Sequence, residues 1–256
     1  MRIVIKVGTS TLAHSTGKLN IRRTNQLCGV LSDLKNAGHE VILVSSGAIG
    51  MGVGKLGLTE KPKDIPTKQA AAAVGQCELM YTYDRLFLEY GHTVAQILLT
   101  GADFIAKDRH DNFIATITRL LELSALPIIN ENDSIATDEI KVGDNDTLSA
   151  LVSISVHADL LVILSDVDGL YTGDPRMDDQ AKRIDEVHGI TQDMMALAGD
   201  VGSALGTGGM RTKLTASKLC NENGVSTVIA NGKTPEILYD IIQNKKGNYT
   251  KFFATK

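Results

Sequence analysis

Cysteine is too sparse in this sequence to build a framework. Cys28, Cys77 and Cys220 lie far apart, with no CxxC spacing, each inside an apolar helical pattern. An odd count of that kind reads as buried thiols in a reducing, cytoplasmic compartment, with no catalytic cysteine among them. The six histidines show no metal-ligand spacing. Basic charge is not in excess: the formal net charge is −4 and the pI about 5.9, which excludes a general nucleic-acid binder with a cationic stripe. No apolar run is long enough for a bilayer, since the most apolar stretch, 148–164, is broken by His157 and Asp159. The first residues open directly on a strand pattern, so no secretory apolar region is expected. Internal repeats and low-complexity segments are also missing. What remains is a chain of 256 residues, 43% apolar, with a mean hydropathy of +0.01. That composition suits one large domain with a full core.

Taken in order, residues 1–7 predict a buried strand in which Ile3, Val4, Ile5 and Val7 surround Lys6. Gly8-Thr9-Ser10 ends it. A lysine so placed is either a cation held beside a phosphate at the strand's C-terminal edge or an edge residue reaching solvent. Helical spacing over 19–37 stops at Gly38, a C′ cap. A second strand over 41–44 runs into Ser45-Ser46-Gly47-Ala48, small residues that let a ligand approach the backbone at the edge where open parallel sheets bind. The stretch 52–57 formally matches GxGxxG but starts eight residues past Val44, too late for the turn of a dinucleotide fold. A long helix over 66–89 has an alanine-rich front suited to close packing. A strand over 93–99 and a helix over 112–123 follow. Later come a continuous apolar strand over 160–164, a charged loop-like tract over 177–187, a helix over 210–223 ending at Gly224, and a strand over 225–230. Thr234 as N-cap and Pro235 at N1 open the final helix. This alternation predicts an α/β fold, a mostly parallel sheet covered on both faces.

The densest polar chemistry lies in 127–156. A strand through Ile128-Ile129 ends in Asn130-Glu131-Asn132-Asp133, and an alternating segment over 135–142 reads as a hairpin. Gly143-Asp144-Asn145-Asp146-Thr147 then opens a helix with Asp146 as the expected N-cap, whose free N–H groups favour an anion. Six acids (Glu131, Asp133, Asp138, Glu139, Asp144 and Asp146) crowd this segment. They suit a small zwitterion or a metal; plain polar loops around a capped helix are the alternative. Ser165-Asp166 ends another buried strand and is followed by turn-rich Asp-Gly and Asp-Pro. The glycine tract over 199–209 feeds a helix with Lys213 one turn in, either a phosphate cradle or a flexible lid. It is not a Walker A loop, because no GK[ST] stands at the required spacing.

Read together and in sequence order, KVGTS, SSGAIG, INENDS, KVGDNDTLSA, LSDVDGLYT-DP and GTGGMRTK span essentially the whole chain. The set resembles the amino-acid kinase family, most closely its glutamate-phosphorylating branch. KVGDND with GTGGM-TK is the specific part, whereas LSDVDGLY is shared across the wider family. Members often carry threonine where Ser165 stands, a departure that keeps the hydroxyl. The resemblance implies a three-layer αβα sandwich of carbamate kinase-like fold over 1–256. The acceptor site would fall in 1–150 and the nucleotide site in 151–256. The C-terminal PUA domain that many members carry would be absent.

It implies further that Lys6 contacts the transferring phosphate and that Ser46, Asp133 and Asn145 hold L-glutamate. ATP would be held by Lys6, Ser165, Asp166, Thr207, Gly208, Gly209, Met210, Arg211, Thr212 and Lys213. Lys6, Lys213, Asp144 and Asp146 form the implied catalytic group, the two aspartates organising the lysines or standing in the outer shell of Mg²⁺. No metal ligand is assigned. Physical chemistry agrees on its own terms, since a carboxylate acceptor is already ionised at neutral pH and needs no catalytic base. The difficulty is bringing two anions together. Also implied are proline as feedback inhibitor at the same hairpin, a homo-oligomer (dimer or tetramer), and transient handover of the labile acyl phosphate to glutamate-5-semialdehyde dehydrogenase. Aspartate, acetylglutamate, carbamate or uridylate phosphorylation on the same fold stays open, as does a non-catalytic nucleotide-sensing subunit.

Overall fold

A computed structural model describes residues 1–14, 18–60, 62–136, 142–173, 177–197 and 209–255. The chain opens on β1 (Arg2–Val7), passes through the short α1 (Thr9–Leu12) into α2 (Ile21–Asn36), and returns as β2 (Glu40–Ser45). Helices α3 (Ala48–Lys55) and α4 (Ile65–Leu88) precede β3 (Val94–Leu99), and α5 (Gly101–Ile105) and α6 (Lys107–Glu122) precede β4 (Leu126–Glu131). Next come α7 (Asn145–Ser155), β5 (Leu160–Ser165) and the two-residue strands β6 (Leu170–Tyr171), β7 (Arg183–Ile184) and β8 (Glu186–Val187). Helices α8 (Gln192–Leu197) and α9 (Met210–Glu222), strand β9 (Ser226–Asn231), helix α10 (Ile237–Ile242) and strand β10 (Tyr249–Phe252) follow.

Eight strands form one sheet in the order β3-β4-β2-β1-β5-β9-β10-β8. Pairing is parallel from β3 through β9, and β10 runs antiparallel to β9. The period-2 alternation of β1 divides the core in two. Ile3, Ile5 and Val7 join one apolar cluster with Leu27 and Leu31 of α2 and Leu79, Tyr83 and Phe87 of α4. Val4 joins the other, with Ile117 of α6, Leu148 of α7 and Leu214 of α9. Lys6 shares the face of Val4, so the strand carries its ammonium into the layer built by α7 and α9. β1 lies between β2 and β5, where the chain leaves the sheet in one direction and later resumes in the other. Open α/β sheets bind ligands outside the strands' C-terminal ends at such a switch point.

The GxGxxG-like stretch forms the end of α3 and its C-terminal cap, and its first glycine serves packing. A Cβ on Gly52 would sit 1.8 Å from Ala71 O, and one on Gly75 would sit 1.7 Å from Ala48 O. Glycine is therefore required where α3 crosses the alanine-rich front of α4. Gly47, the N-cap of α3, has φ +107°, a left-handed conformation that glycine adopts without a Cβ clash.

Several expectations need correction. The final helix begins at Ile237 with Glu236 as N-cap; Thr234 and Pro235 form a preceding turn whose carbonyls accept from Ile237 and Leu238 N–H. The tract 177–187 contains β7 and β8, and the helix expected at 112 starts at Lys107. β10 was not anticipated. Cys28 and Cys220 are buried, but Cys77 is exposed, because α4 is apolar on more sides than it can cover. Burial pushes the Cys220 thiol up to about 12.

Candidate active site

Three charged side chains from distant parts of the sequence meet at the C-terminal edge of β1. Lys6 comes from the strand itself, Asp146 from the first turn of α7 and Lys213 from the first turns of α9. Lys6 Nζ lies 2.7 Å from Asp146 Oδ1, a close ion pair. Lys213 Nζ donates to Asp146 Oδ2 at 3.1 Å, and Thr212 Oγ1 donates to the same oxygen at 2.8 Å. All three charged groups are nearly dry: Lys6 is 7% exposed, Lys213 5% and Asp146 1%. Burial alone raises the carboxyl's pKa, but the two ammonium groups outweigh it and hold Asp146 ionised, well below the usual carboxylate range.

This placement corrects the expected cap. The N-cap of α7 is Asp144, whose Oδ1 accepts from Thr147 N at 2.8 Å and whose Oδ2 accepts from the Thr147 hydroxyl at 2.9 Å. Asp144 therefore orders the helix start, while Asp146, two residues on, is the residue that gathers the lysines. Both are aspartates beside small polar residues, and the capping rule does not separate them.

On the β2–β4 side an amide cluster lines the same edge. Asn145 Nδ2 lies 2.7 Å from Ser46 Oγ, 2.9 Å from Asn130 Oδ1 and 3.3 Å from Ser45 O. Asn130 Nδ2 in turn donates to Gln76 Oε1 at 3.0 Å. Ser45 Oγ meets the Tyr83 hydroxyl at 2.8 Å below, anchoring the strand end to α4. Ser46 and Asn145, both expected from the sequence, are thus direct neighbours. Asp133 lies in the turn after β4, partly buried. Glu131 Oε1 accepts from Val142 N at 2.6 Å, tying the end of β4 to the approach to α7. Of the segment expected as a hairpin, 135–142, Ile135 belongs to the turn after β4, and 137–141, with Asp138 and Glu139, lie outside the described residues.

On the β5–β9 side, Ser165 ends β5, and its hydroxyl donates to Asp166 Oδ1 at 3.0 Å. Asn231 Nδ2 reaches Asp166 O at 3.4 Å, and Gly232 N donates to Ser165 O at 2.8 Å. Gly209 is the N-cap of α9 and makes no side-chain cap hydrogen bond. The N–H groups of that first turn, with Met210, Arg211, Thr212 and Lys213 around them, form a donor set suited to phosphate oxygens. Thr207 and Gly208 lie outside the described residues.

A sequence model described as the amino acid kinase family matches residues 1–231. The chain belongs to the amino-acid kinase family. Among its relatives, a protein named glutamate 5-kinase from Clostridium tetani is 54% identical over 243 residues, 95% of this chain and 91% of that protein. One of the same name from Clostridium perfringens is 52% identical over 260 residues, covering 100% of this chain and 96% of the other. A third, from Caldanaerobacter subterraneus, is 52% identical and is covered over 66% of its length. Among solved structures, T. acidophilum isopentenyl phosphate kinase in product complex superposes with a TM-score of 0.67 at 16% identity, over 98% of this chain and 100% of that one. UMP kinase from Ureaplasma parvum gives 0.65 at 17% identity, over 98% of both chains. These two show the amino-acid kinase fold.

Gln76 and Asn130 are the site residues that sequence reasoning missed. Asn130 sits in the quoted INENDS, but Gln76 is far from any polar cluster, on a helix read as packing surface. Only its i+1 position after the close-packed Gly75 marks it. Among the described residues no group of three or more His, Cys, Asp or Glu side chains is placed to hold a metal. Glutamate 5-kinases act on ATP with Mg²⁺, an ion that is bound through one or two carboxylates together with substrate phosphates. Asp146, with both oxygens facing ammonium or hydroxyl donors, is not among them. No helix among the described residues is long and apolar enough to cross a membrane.

Proposed function

We propose that this chain transfers the γ-phosphoryl group of ATP to the γ-carboxylate of L-glutamate, giving γ-glutamyl phosphate and ADP, the first step of proline biosynthesis, in the cytoplasm. The observation that carries this reading is the convergence of Lys6 and Lys213 on Asp146, next to the Ser46–Asn145 pair. It stands in a chain 52–54% identical to proteins named glutamate 5-kinase. In this reading the sheet edge is shared out by topology. The β2–β4 half, within 1–150, takes the amino acid on Ser46, Asp133 and Asn145. The β5–β9 half, within 151–256, takes the nucleotide on Ser165, Asp166 and the run from Thr207 to Lys213. Lys6 lies between them.

The acceptor is already an anion, so no side chain removes a proton. Lys6 and Lys213 hold positive charge where the equatorial oxygens of the transferring group gather negative charge. Asp146 fixes the two ammonium groups at one point in a dry interior, so little reorganisation is needed as charge moves. Asp144 keeps the first turn of α7 in register beneath them. Mg²⁺ neutralises charge on the nucleotide phosphates when bound. Asp133 is the counter-ion of the α-ammonium, and Ser46 and Asn145 complete the hold on the amino acid. Proline, which shares the α-amino-acid end of glutamate, competes for this pocket. The working unit is a dimer or tetramer that hands its labile product to the dehydrogenase acting next.

An ATP-dependent hydroxamate assay tests the reading. Hydroxylamine traps an acyl phosphate, and glutamate, aspartate, N-acetylglutamate and carbamate are offered side by side. Signal from glutamate alone is expected; signal from another acceptor, or silence from all, sinks the assignment. Lys6→Ala and Lys213→Ala should each lower kcat by about 10²–10³-fold, with the glutamate KM within about twofold of the parent.

A further inference from the structure

Gln76 is a buried residue of α4 for which the proposed reaction has so far found no use, and its Nε2 is a dry donor with no hydrogen-bond partner among the described residues. Such a group is costly and calls for a reason. The reason lies in the direction of the amides it touches. Glu131 N donates to Asn130 Oδ1 at 2.9 Å, and a backbone N–H cannot become an acceptor. Asn130 must therefore present Oδ1 toward that N–H and toward Asn145, and Nδ2 toward Gln76. Gln76 must answer with Oε1, since its other orientation would set two NH₂ groups face to face. Its Nε2 is turned away as a consequence. Asn145 Nδ2 has two hydrogens for three acceptors, Asn130 Oδ1, Ser46 Oγ and, at 3.3 Å, the Ser45 carbonyl, and the two carbonyl oxygens call for the same orientation of the amide. Ser46 then has its own proton left to donate, and Asn145 Oδ1 has no donor paired with it among the described residues.

We infer that Gln76 is a positioning residue. Its Oε1 holds Asn130 in the polarity that the Glu131 N–H sets and so steadies Asn145 and Ser46, so that the cleft offers one carbonyl acceptor and one hydroxyl donor to the ammonium and carboxylate of an α-amino acid. The inference rests on the function proposed above for Ser46 and Asn145, and it adds the source of their orientation. Discrimination between a zwitterion and an acid lacking the amino group then begins one helix away from the substrate. What the position needs is an acceptor oxygen of the right reach toward Asn130 Nδ2. The backbone N–H of Glu131 is the fixed point of the whole relay.

The test compares Gln76→Met with Gln76→Glu. Methionine keeps the volume and removes the acceptor; glutamate keeps an oxygen facing Asn130 Nδ2. Gln76→Met should raise the glutamate KM about tenfold, with kcat, the ATP KM and Tm little changed. Gln76→Glu should restore the KM to within about threefold of the parent. In parallel, the side-chain ¹H–¹⁵N amide signals of Asn130 and Asn145, assigned from Asn130→Ala and Asn145→Ala, should both shift in Gln76→Met and return in Gln76→Glu. An unchanged KM, or a loss confined to kcat and Tm, overturns the positioning role. So does an Asn145 signal that ignores position 76. If the parent turns over no glutamate, the functional reading fails by itself, and the amide signals still decide whether the relay exists.

Discussion

Asp146→Asn is the perturbation to which this site is most exposed. In the folded protein the carboxylate lies 2.7 Å from one ammonium and 3.1 Å from another. At an effective dielectric of about 20, those separations correspond to roughly 6 and 5 kcal/mol of attraction. Desolvating each ion costs several kcal/mol in return, so the intact cluster adds little net stability. Removing only the anion is a different matter. Asparagine keeps the shape but turns an NH₂ group toward one of the ammonium groups, and both lysines stay buried without this counter-charge. The expected loss is about 3–5 kcal/mol. Urea denaturation at pH 7 reads it as a lower midpoint with an unchanged m-value.

The pH dependence makes the argument stricter. Burial raises the Asp146 pKa, the ammonium groups of Lys6 and Lys213 lower it by more, and the folded value ends well below the ordinary one. The unfolded chain titrates near 3.9. A carboxyl depressed by folding contributes fully above the unfolded pKa and loses that contribution as pH falls toward the folded one. The stability gap between parent and Asp146→Asn should therefore stay constant from about pH 8 to 5 and narrow below about pH 4. A gap under about 1 kcal/mol at pH 7, or one unaltered down to pH 3, would refute the reasoning.

Two further outcomes are expected. Gly75→Ala should destabilise by about 1–3 kcal/mol or more and raise the glutamate KM, because its Cβ meets Ala48 O at 1.7 Å and pushes on the first turn of α3, just after its N-cap Gly47; melting and steady-state kinetics check it, and a neutral variant would mean that α3 can slide. A disulfide-exchange titration should count one reactive thiol, Cys77, in the native protein and three after denaturation, since Cys28 and Cys220 are buried and their thiols are pushed upward. Rapid reaction at Cys220 would contradict the packing of α9.

Much of the architecture could be read locally. Strand and helix periods, the C′ cap at Gly38 and the small residues after β2 are set by neighbours in the chain, and they describe the sheet and its binding edge. The exceptions have local causes too. Thr234-Pro235 has the composition of a helix start but closes a turn first, and Cys77 sits on a helix whose apolar pattern exceeds the surface available to cover it. Residues quoted for the family resemblance led to Lys6, Ser46, Asn145 and Lys213 as a group, though no spacing rule joins positions 6 and 213.

By itself the sequence determined which elements form and which chemical groups stand at the strand ends, because propensity and period are properties of short segments. It also offered both readings of Lys6, in solvent or beside an anion, and it pointed to Asp146 rather than Asp144 as the cap of α7. Only the tertiary structure decided the one and corrected the other. β1 lies at the centre of the sheet with Lys6 on the face covered by α7 and α9, so its ammonium is largely withdrawn from water and meets Asp146. With Asp146 drawn to the lysines, Asp144 is left to cap the helix. The direction of the Gln76–Asn130–Asn145 relay was decided in the same way. An amide carries no preferred orientation in its sequence, and here one fixed backbone N–H, brought near by folding, imposes it.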